Sequence, residues 1–361
     1  MKSEILASSA FMKIEYFYDE EKNHRNLAYV FTPSENRMLE GNNFGGEVFF
    51  RNGYDTVAFK ISNDDWFQSV PPGVFAAIHG IIAERGYDKK VAYGSSMGGY
   101  ASIALSKLLD CSAVIAFSPQ YSIDDDFDKR WAFFANKINF QYRISKESTK
   151  MDCSFFIFYD NKDPDELQVK RLLEVLPPES TKVIKLPFSG HPSVHFLNEV
   201  GLLKDILTQL ANEGHVDGID FYKKKRNSSM YLLALSRELL KRKHAGWALS
   251  VVDFSVIINP NFAQLHSQRS AALEHLGRMD DAVASLKKAM ELAPANLHLK
   301  HQAGLLLRKL GAIEEAIAII QEALVLDPQS FPNQHLLRDL LDKRNAIAAR
   351  CTPSQQQTQA E

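Results

Sequence analysis

The chain has 361 residues, of which 45% are hydrophobic and 24% charged, with a formal net charge of −2. This is the composition of an ordinary soluble globular protein with room for roughly two domains, and it excludes the strongly basic domain or stripe through which nucleic-acid binding announces itself. The three cysteines, Cys111, Cys153 and Cys351, are odd in number and far apart, so they form neither a metal-ligand spacing nor a disulfide framework and point to a reducing compartment.

Residues 1–21 turn acidic too early and lack the continuous apolar core of a signal peptide. No stretch approaches the roughly 18 uninterrupted apolar residues of a membrane helix. The expectation is a cytoplasmic protein, with binding to a membrane face through a partner left open.

Further along, apolar β-rich runs alternate with helical ones. Strands are predicted near 27–32, 54–61 and 89–95, then at 113–117, 153–159 and 182–187; helices are predicted over 73–85, 97–109 and 194–211. Such alternation predicts an α/β domain with a mostly parallel sheet and helices on both faces. Residues 121–150, rich in aspartates and aromatics, interrupt the rhythm and are read as a small cap. Their aspartates at 124–128 suit a calcium loop poorly and a solvated acidic loop better.

The segment Gly94-Ser95-Ser96-Met97-Gly98-Gly99-Tyr100 sits between a strand and a helix. A chain that turns sharply from strand to helix strains the turning residue and needs small neighbours around it. Gly94 and Gly98 supply that room for Ser96, whereas Ser95 would be flanked by Tyr93 and Met97. Ser96 is therefore the candidate nucleophile. A serine hydroxyl needs a base and a group that orients the base. Two strand patterns downstream end in Asp160-Asn161-Lys162-Asp163-Pro164 and in Gly190-His191.

Through these three motifs in the order Ser, Asp, His, residues 10–212 resemble the α/β-hydrolase family. The resemblance implies a catalytic domain over 1–215, with Ser96, Asp163 and His191 as a triad. Asp160 competes for the acid and His195 for the histidine. It implies an oxyanion hole from the amide of Met97 and that of Thr32 or Ser34, Pro33 having no amide hydrogen. The family's usual glycine-rich run is missing here, so the second amide stays open. Trp66, Gln120 and Tyr121, on loops after strands, are candidate substrate contacts; Trp66 and Phe67 are alternatively packing residues against the cap. No cofactor or metal is implied.

From 229 onward the period changes to 34 residues, aligning Ala248, Ala282 and Ala316; Leu239, Leu273 and Leu307; Val252, Leu286 and Ile320; Ser255, Ala289 and Ala323; and Pro260, Pro294 and Pro328. Gly277 and Gly311 stand where the first helix of each pair ends. These columns resemble the tetratricopeptide repeat (TPR) family, whose units are helix pairs. The first repeat is the weakest, with Lys243 in the glycine column and Leu235-Ser236 where the family prefers leucine then glycine. The organisation expected is the catalytic domain, a basic linker over 216–228, helical repeats over 229–349 with a capping helix at 331–349, and a disordered tail at 350–361.

Three functions follow. The first is a serine esterase acting through an acyl-enzyme on an acyl ester. The second is an acyltransferase using the same triad, because GSSMGGY and AFSPQYS are similar to hydrolase-fold domains that accompany bacterial surface-polysaccharide assembly, some of them O-acetyltransferases with a glycan acceptor. The third is an interaction protein in which the repeats hold a partner, or a second copy, and the first domain is scaffolding.

Overall fold

The computed structural model describes residues 1–34, 38–41 and 45–351, and divides the chain into two compact units, Met1–Tyr231 and Leu232–Glu361. The tail expected at 350–361 lies almost wholly outside the described residues.

Among the described residues of the first unit, eight strands form one sheet in the order β1-β2-β4-β3-β5-β6-β7-β8. They are β1 Lys2–Ser8, β2 Met12–Tyr18, β3 Asn26–Phe31, β4 Tyr54–Ile61, β5 Lys89–Ser95, β6 Ala113–Phe117, β7 Ser154–Tyr159 and β8 Thr181–Lys185. From β4 to β8 every neighbouring pair is parallel, while β1 and β2 are antiparallel to each other and β2 to β4. The inner strands read as near-continuous apolar runs because helices cover both faces of a parallel sheet. In β4, for instance, all eight residues are buried. The sequence reading missed β1 and β2, whose charged residues alternate with apolar ones on an edge hairpin.

The helices are α1 Gly46–Arg51, α2 Pro72–Arg85, α3 Met97–Ala104, α4 Ala132–Ala135, α5 Asp165–Leu173, α6 Val194–Glu199 and α7 Leu203–Glu213. Two expectations are corrected. The helix expected over 97–109 stops at Ala104. The helix expected over 194–211 is two helices, broken where Gly201 takes φ +74°. Residues 121–150 contain little regular structure beyond one 3₁₀ turn, Lys129–Trp131, and α4. Buried Ile123, Ala135 and Ile144 nonetheless join this segment to the main core.

Register brings four loops to one edge of the sheet. Phe31 pairs with Gly94, Ser95 with Phe117, Phe117 with Phe158 and Tyr159 with Lys185. The chain therefore leaves β5, β6, β7 and β8 at the same carboxyl end, where open parallel sheets gather functional side chains.

The second unit is built of helix pairs: α8 Ser229–Lys241, which begins in the first unit, with α9 Ala245–Ile258; α10 Ala263–His275 with α11 Met279–Leu292; and α12 Leu297–Leu310 with α13 Ile313–Leu326. The single helix α14 Phe331–Cys351 follows. The 34-residue columns are its packing. Ala248, Ala282, Ala316, Val252 and Ile320 are fully buried, and so are Ser255, Ala289 and Ala323. Small residues at these points let two helices approach. A further column, Ser236, Ser270 and Gly304, is also small. A Cβ on Gly304 would lie 2.6 Å from Ile320 Cδ1. Leu336 and Leu340 of α14 close the last apolar face.

The turn after each first helix is left-handed, with φ +73° at Gly277, +78° at Gly311 and +65° at Lys243. An L side chain there costs about 1–2 kcal/mol, partly offset because glycine is freer in the unfolded chain. Lys243→Gly is therefore expected to stabilise the repeats by about 0.5–1 kcal/mol. A urea titration followed by helical circular dichroism checks this, and an unchanged or lower midpoint would refute it.

Candidate active site

Ser96 links β5 to α3 with φ +52° and ψ −116°, a strained conformation for a serine. The glycines around it explain how the turn closes. A Cβ on Gly94 would stand 2.1 Å from the Gly98 carbonyl oxygen, and one on Gly98 2.8 Å from that of Phe31. Gly99 meets Pro119 in the same way, at 3.2 Å. The Ser96 amide donates to the Phe117 carbonyl oxygen at 2.8 Å, fixing the turn to the neighbouring strand.

The Ser96 hydroxyl lies 2.9 Å from His191 Nε2. On the other side of the ring, His191 Nδ1 is 2.9 Å from both carboxylate oxygens of Asp165. The proton inventory is consistent when Ser96 donates to Nε2 and Nδ1–H donates to Asp165. A third contact comes from Gln120, whose side-chain amide donates to Ser96 Oγ at 3.0 Å while its carbonyl accepts from Trp66 Nε1 at 3.4 Å.

The acid against His191 is thus Asp165, not the expected Asp163 nor its competitor Asp160. Asp160, the first residue after β7, turns toward the histidine loop and accepts from the amides of Phe188 at 3.0 Å and Gly190 at 2.9 Å, and also from that of Lys162 at 2.8 Å. Asp163 accepts from Arg130 Nη1 at 2.8 Å. Asp165 is the first residue of α5, where an anion is favoured by the helix dipole. The missed signal was a third aspartate, just past Pro164.

Arg130, on the 3₁₀ turn of the 121–150 segment, joins these carboxylates. It donates to Asp165 Oδ1 at 3.0 Å and grips Asp128 with Nε at 2.9 Å and Nη2 at 2.7 Å. Trp131 follows, its ring centroid 5.3 Å from that of His191. No sequence signal marked Arg130, because beside the local Asp128 its partners Asp163 and Asp165 come from the distant segment that follows β7. Burial works to raise the Asp165 pKa, but the charge and hydrogen bond of His191, with help from Arg130 and Ser118, hold it below the ordinary carboxylate value. Burial and the neighbouring Asp165 push Asp163 up. Burial likewise raises Asp160 despite its three amide donors.

Other expected residues fall as follows. Met97 is the first residue of α3 and its amide has no acceptor within the helix. Thr32 is corrected as an oxyanion donor, because its amide already donates to the Phe59 carbonyl oxygen at 3.1 Å. Ser34 is the last described residue before 35–37. Trp66 and Phe67 both take left-handed φ, +50° and +59°. Trp66 packs on Trp131 and Phe134 of the 121–150 segment, and Phe67 on Phe31. The backbone of Tyr121 is tied to α5 by a 2.7 Å bond to Gln168, and its side chain packs against the core. His195 lies on α6, and the imidazole bonded to Ser96 is that of His191. Asp124 faces Arg143, Asp126 is exposed and Asp128 faces Arg130. Among the described residues no group of three His, Cys, Asp or Glu side chains is arranged to hold a metal ion.

Residues 274–341 match the family model described as tetratricopeptide repeat. Among similar solved structures, the Arabidopsis OM64 TPR domain is 23% identical over 33% of this chain and 98% of that one, with a TM-score of 0.31. The first TPR of Spaghetti (RPAP3), solved with an HSP90 peptide, is 20% identical over 33% of this chain and 95% of that one, with a TM-score of 0.31. The Sgt2 TPR domain of Aspergillus fumigatus is 16% identical over 37% and 89%, with a TM-score of 0.34. No curated protein matches the chain. The C-terminal part therefore carries repeats of the TPR type, a protein-binding architecture.

The glycine contacts give a test. Gly94→Ala is expected to destabilise the first unit by about 3 kcal/mol or more. Gly80→Ala, mid-helix in α2 with nothing within 4 Å, is expected to stabilise by about 0.5–1 kcal/mol. Thermal denaturation of the two variants checks both signs, and equal melting temperatures would overturn the steric account.

Proposed function

We propose that the first unit is an α/β-hydrolase-fold serine esterase that works through an acyl-enzyme. One observation carries the reading: Ser96, held in a strained strand-to-helix turn, His191 and Asp165 form one hydrogen-bonded chain. Support also comes from topology, since the serine follows β5, the acid β7 and the histidine β8, the chain order of that family.

In this mechanism Ser96 Oγ attacks an ester carbonyl as its proton passes to His191 Nε2. Asp165 keeps Nδ1 protonated and stabilises the imidazolium that forms. The oxyanion faces the Met97 amide at the positive end of α3. With the Thr32 amide engaged, the side-chain amide of Gln120, which donates to the nucleophile Ser96 Oγ at 3.0 Å, is assigned as the second donor to the oxyanion that forms beside it. His191 then returns the proton to the leaving alcohol. Water, activated by the same imidazole, releases the acid. The helical repeats are assigned to holding a protein partner.

A fluorophosphonate probe and a short activated ester test this. Labelling is expected with the wild type and to vanish in Ser96→Ala. Asp165→Asn is expected to lower turnover on the order of 10³–10⁴-fold, as for a triad acid that sets the histidine tautomer, while Asp163→Asn stays within about tenfold. Gln120→Leu is expected to lose about 10²-fold, the scale of one oxyanion donor. Turnover that requires a sugar acceptor would instead mean acyl transfer. A wild type that never labels would sink the catalytic reading and leave the repeats as the working part.

A further inference from the structure

Three carboxylates converge on one guanidinium next to the proposed base. Arg130 bonds Asp128, Asp163 and Asp165 at 2.7–3.0 Å, and it comes from the 121–150 segment, outside the strand-end loops that carry Ser96, Asp165 and His191. Asp165 and Asp128 are almost fully buried, at 1% and 5% exposure, and Asp160 lies in the same cluster, at 2%. Facing His191 are Asp165 from the start of α5, Arg130 and Trp131 from the 3₁₀ turn, Asp163 from the loop after β7, and Ser96 with Gln120 from the loops after β5 and β6. Ser118 adds a hydroxyl on Asp165.

Such a site has an electrostatic problem. Each buried carboxylate near His191 favours the imidazolium, and an imidazole that is already protonated cannot act as a base. One positive charge bonded to the same carboxylates offsets this. We infer that Arg130 is a positioning residue of the active site: its charge offsets part of the carboxylates' pull on a proton at His191, and its fork fixes Asp165 for the Nδ1 bond. The inference rests on the esterase reading for its catalytic meaning, but its electrostatic content is readable without turnover.

The sign is fixed by charge. Removing Arg130 removes repulsion of the imidazolium and unmasks three anions, so the histidine pKa rises. Removing Asp163 takes away an anion, so it falls. Lys at 130 keeps the charge and loses the fork that grips three carboxylates at once.

The experiment is a ¹³Cε1-histidine NMR titration of the full chain, with His191 assigned by its loss in His191→Asn, alongside the pH dependence of fluorophosphonate labelling. Arg130→Met is expected to move the His191 midpoint up by about one pH unit or more, and the acid limb of labelling with it. Arg130→Lys is expected to leave the midpoint near its wild-type position while labelling slows. Asp163→Asn is expected to move the midpoint down. Should Arg130→Met not fold, the Asp163→Asn shift decides alone. Folded variants with an unmoved His191 midpoint would overturn the inference. Expected midpoint shifts in a protein that never labels would retain Arg130's electrostatic role and reject the esterase reading instead.

Discussion

The close approach of α3 to the strands beneath it governs everything built at the carboxyl edge of the sheet. With the Gly94 Cβ position 2.1 Å from the Gly98 carbonyl oxygen, the backbone occupies the space a side chain would need, and the helix starts one residue after the strand ends. That contact goes with a positive φ at Ser96, a hydroxyl within 2.9 Å of His191 Nε2 and first amides of α3 without helical acceptors. The strain at Ser96 is tolerated because the turn is over-determined, by glycines on either side and by the bond from the Ser96 amide to Phe117.

The second organising force is the sharing of charge among buried carboxylates. Four aspartates lie in and around the site, and they share three kinds of donor. Asp160 takes backbone amides, Asp165 takes the imidazole and a guanidinium arm, and Asp128 and Asp163 take the rest of that guanidinium. A residue type that would be costly in isolation is retained because each of these carboxylates accepts at least one hydrogen bond.

Much of this was legible in the sequence, and the unread part has physical reasons. The parallel strands and the helix pairs announce themselves through uninterrupted apolar runs and a 34-residue period, because burial on both faces or between stacked helices leaves a periodic trace. The edge hairpin of β1 and β2 leaves a weaker one. At the site, Ser96 and His191 stand at strand ends with glycines beside them, and the structure brings them within hydrogen-bonding distance. Three aspartates within six residues look alike as letters. Which one meets the imidazole depends on the loop's path, on Asp160 being drawn to the amides of Phe188 and Gly190 and on Asp163 being drawn to Arg130. Arg130 itself had no local signature. In the repeats, Lys243 looked like a defect in the pattern and turned out to keep the left-handed turn of its glycine counterparts.

Asp160, which touches neither Ser96 nor His191 in the hydrogen-bonded chain, has a consequence of its own. Its carboxylate closes the loop after β7 and the loop after β8 onto each other, and Ser118 ties the far side of the histidine loop through the Ser193 amide at 3.0 Å. These bonds fix the two loops against each other. Asp165 and His191 are therefore aligned already in the folded chain, and the entropy of bringing them together is spent during folding.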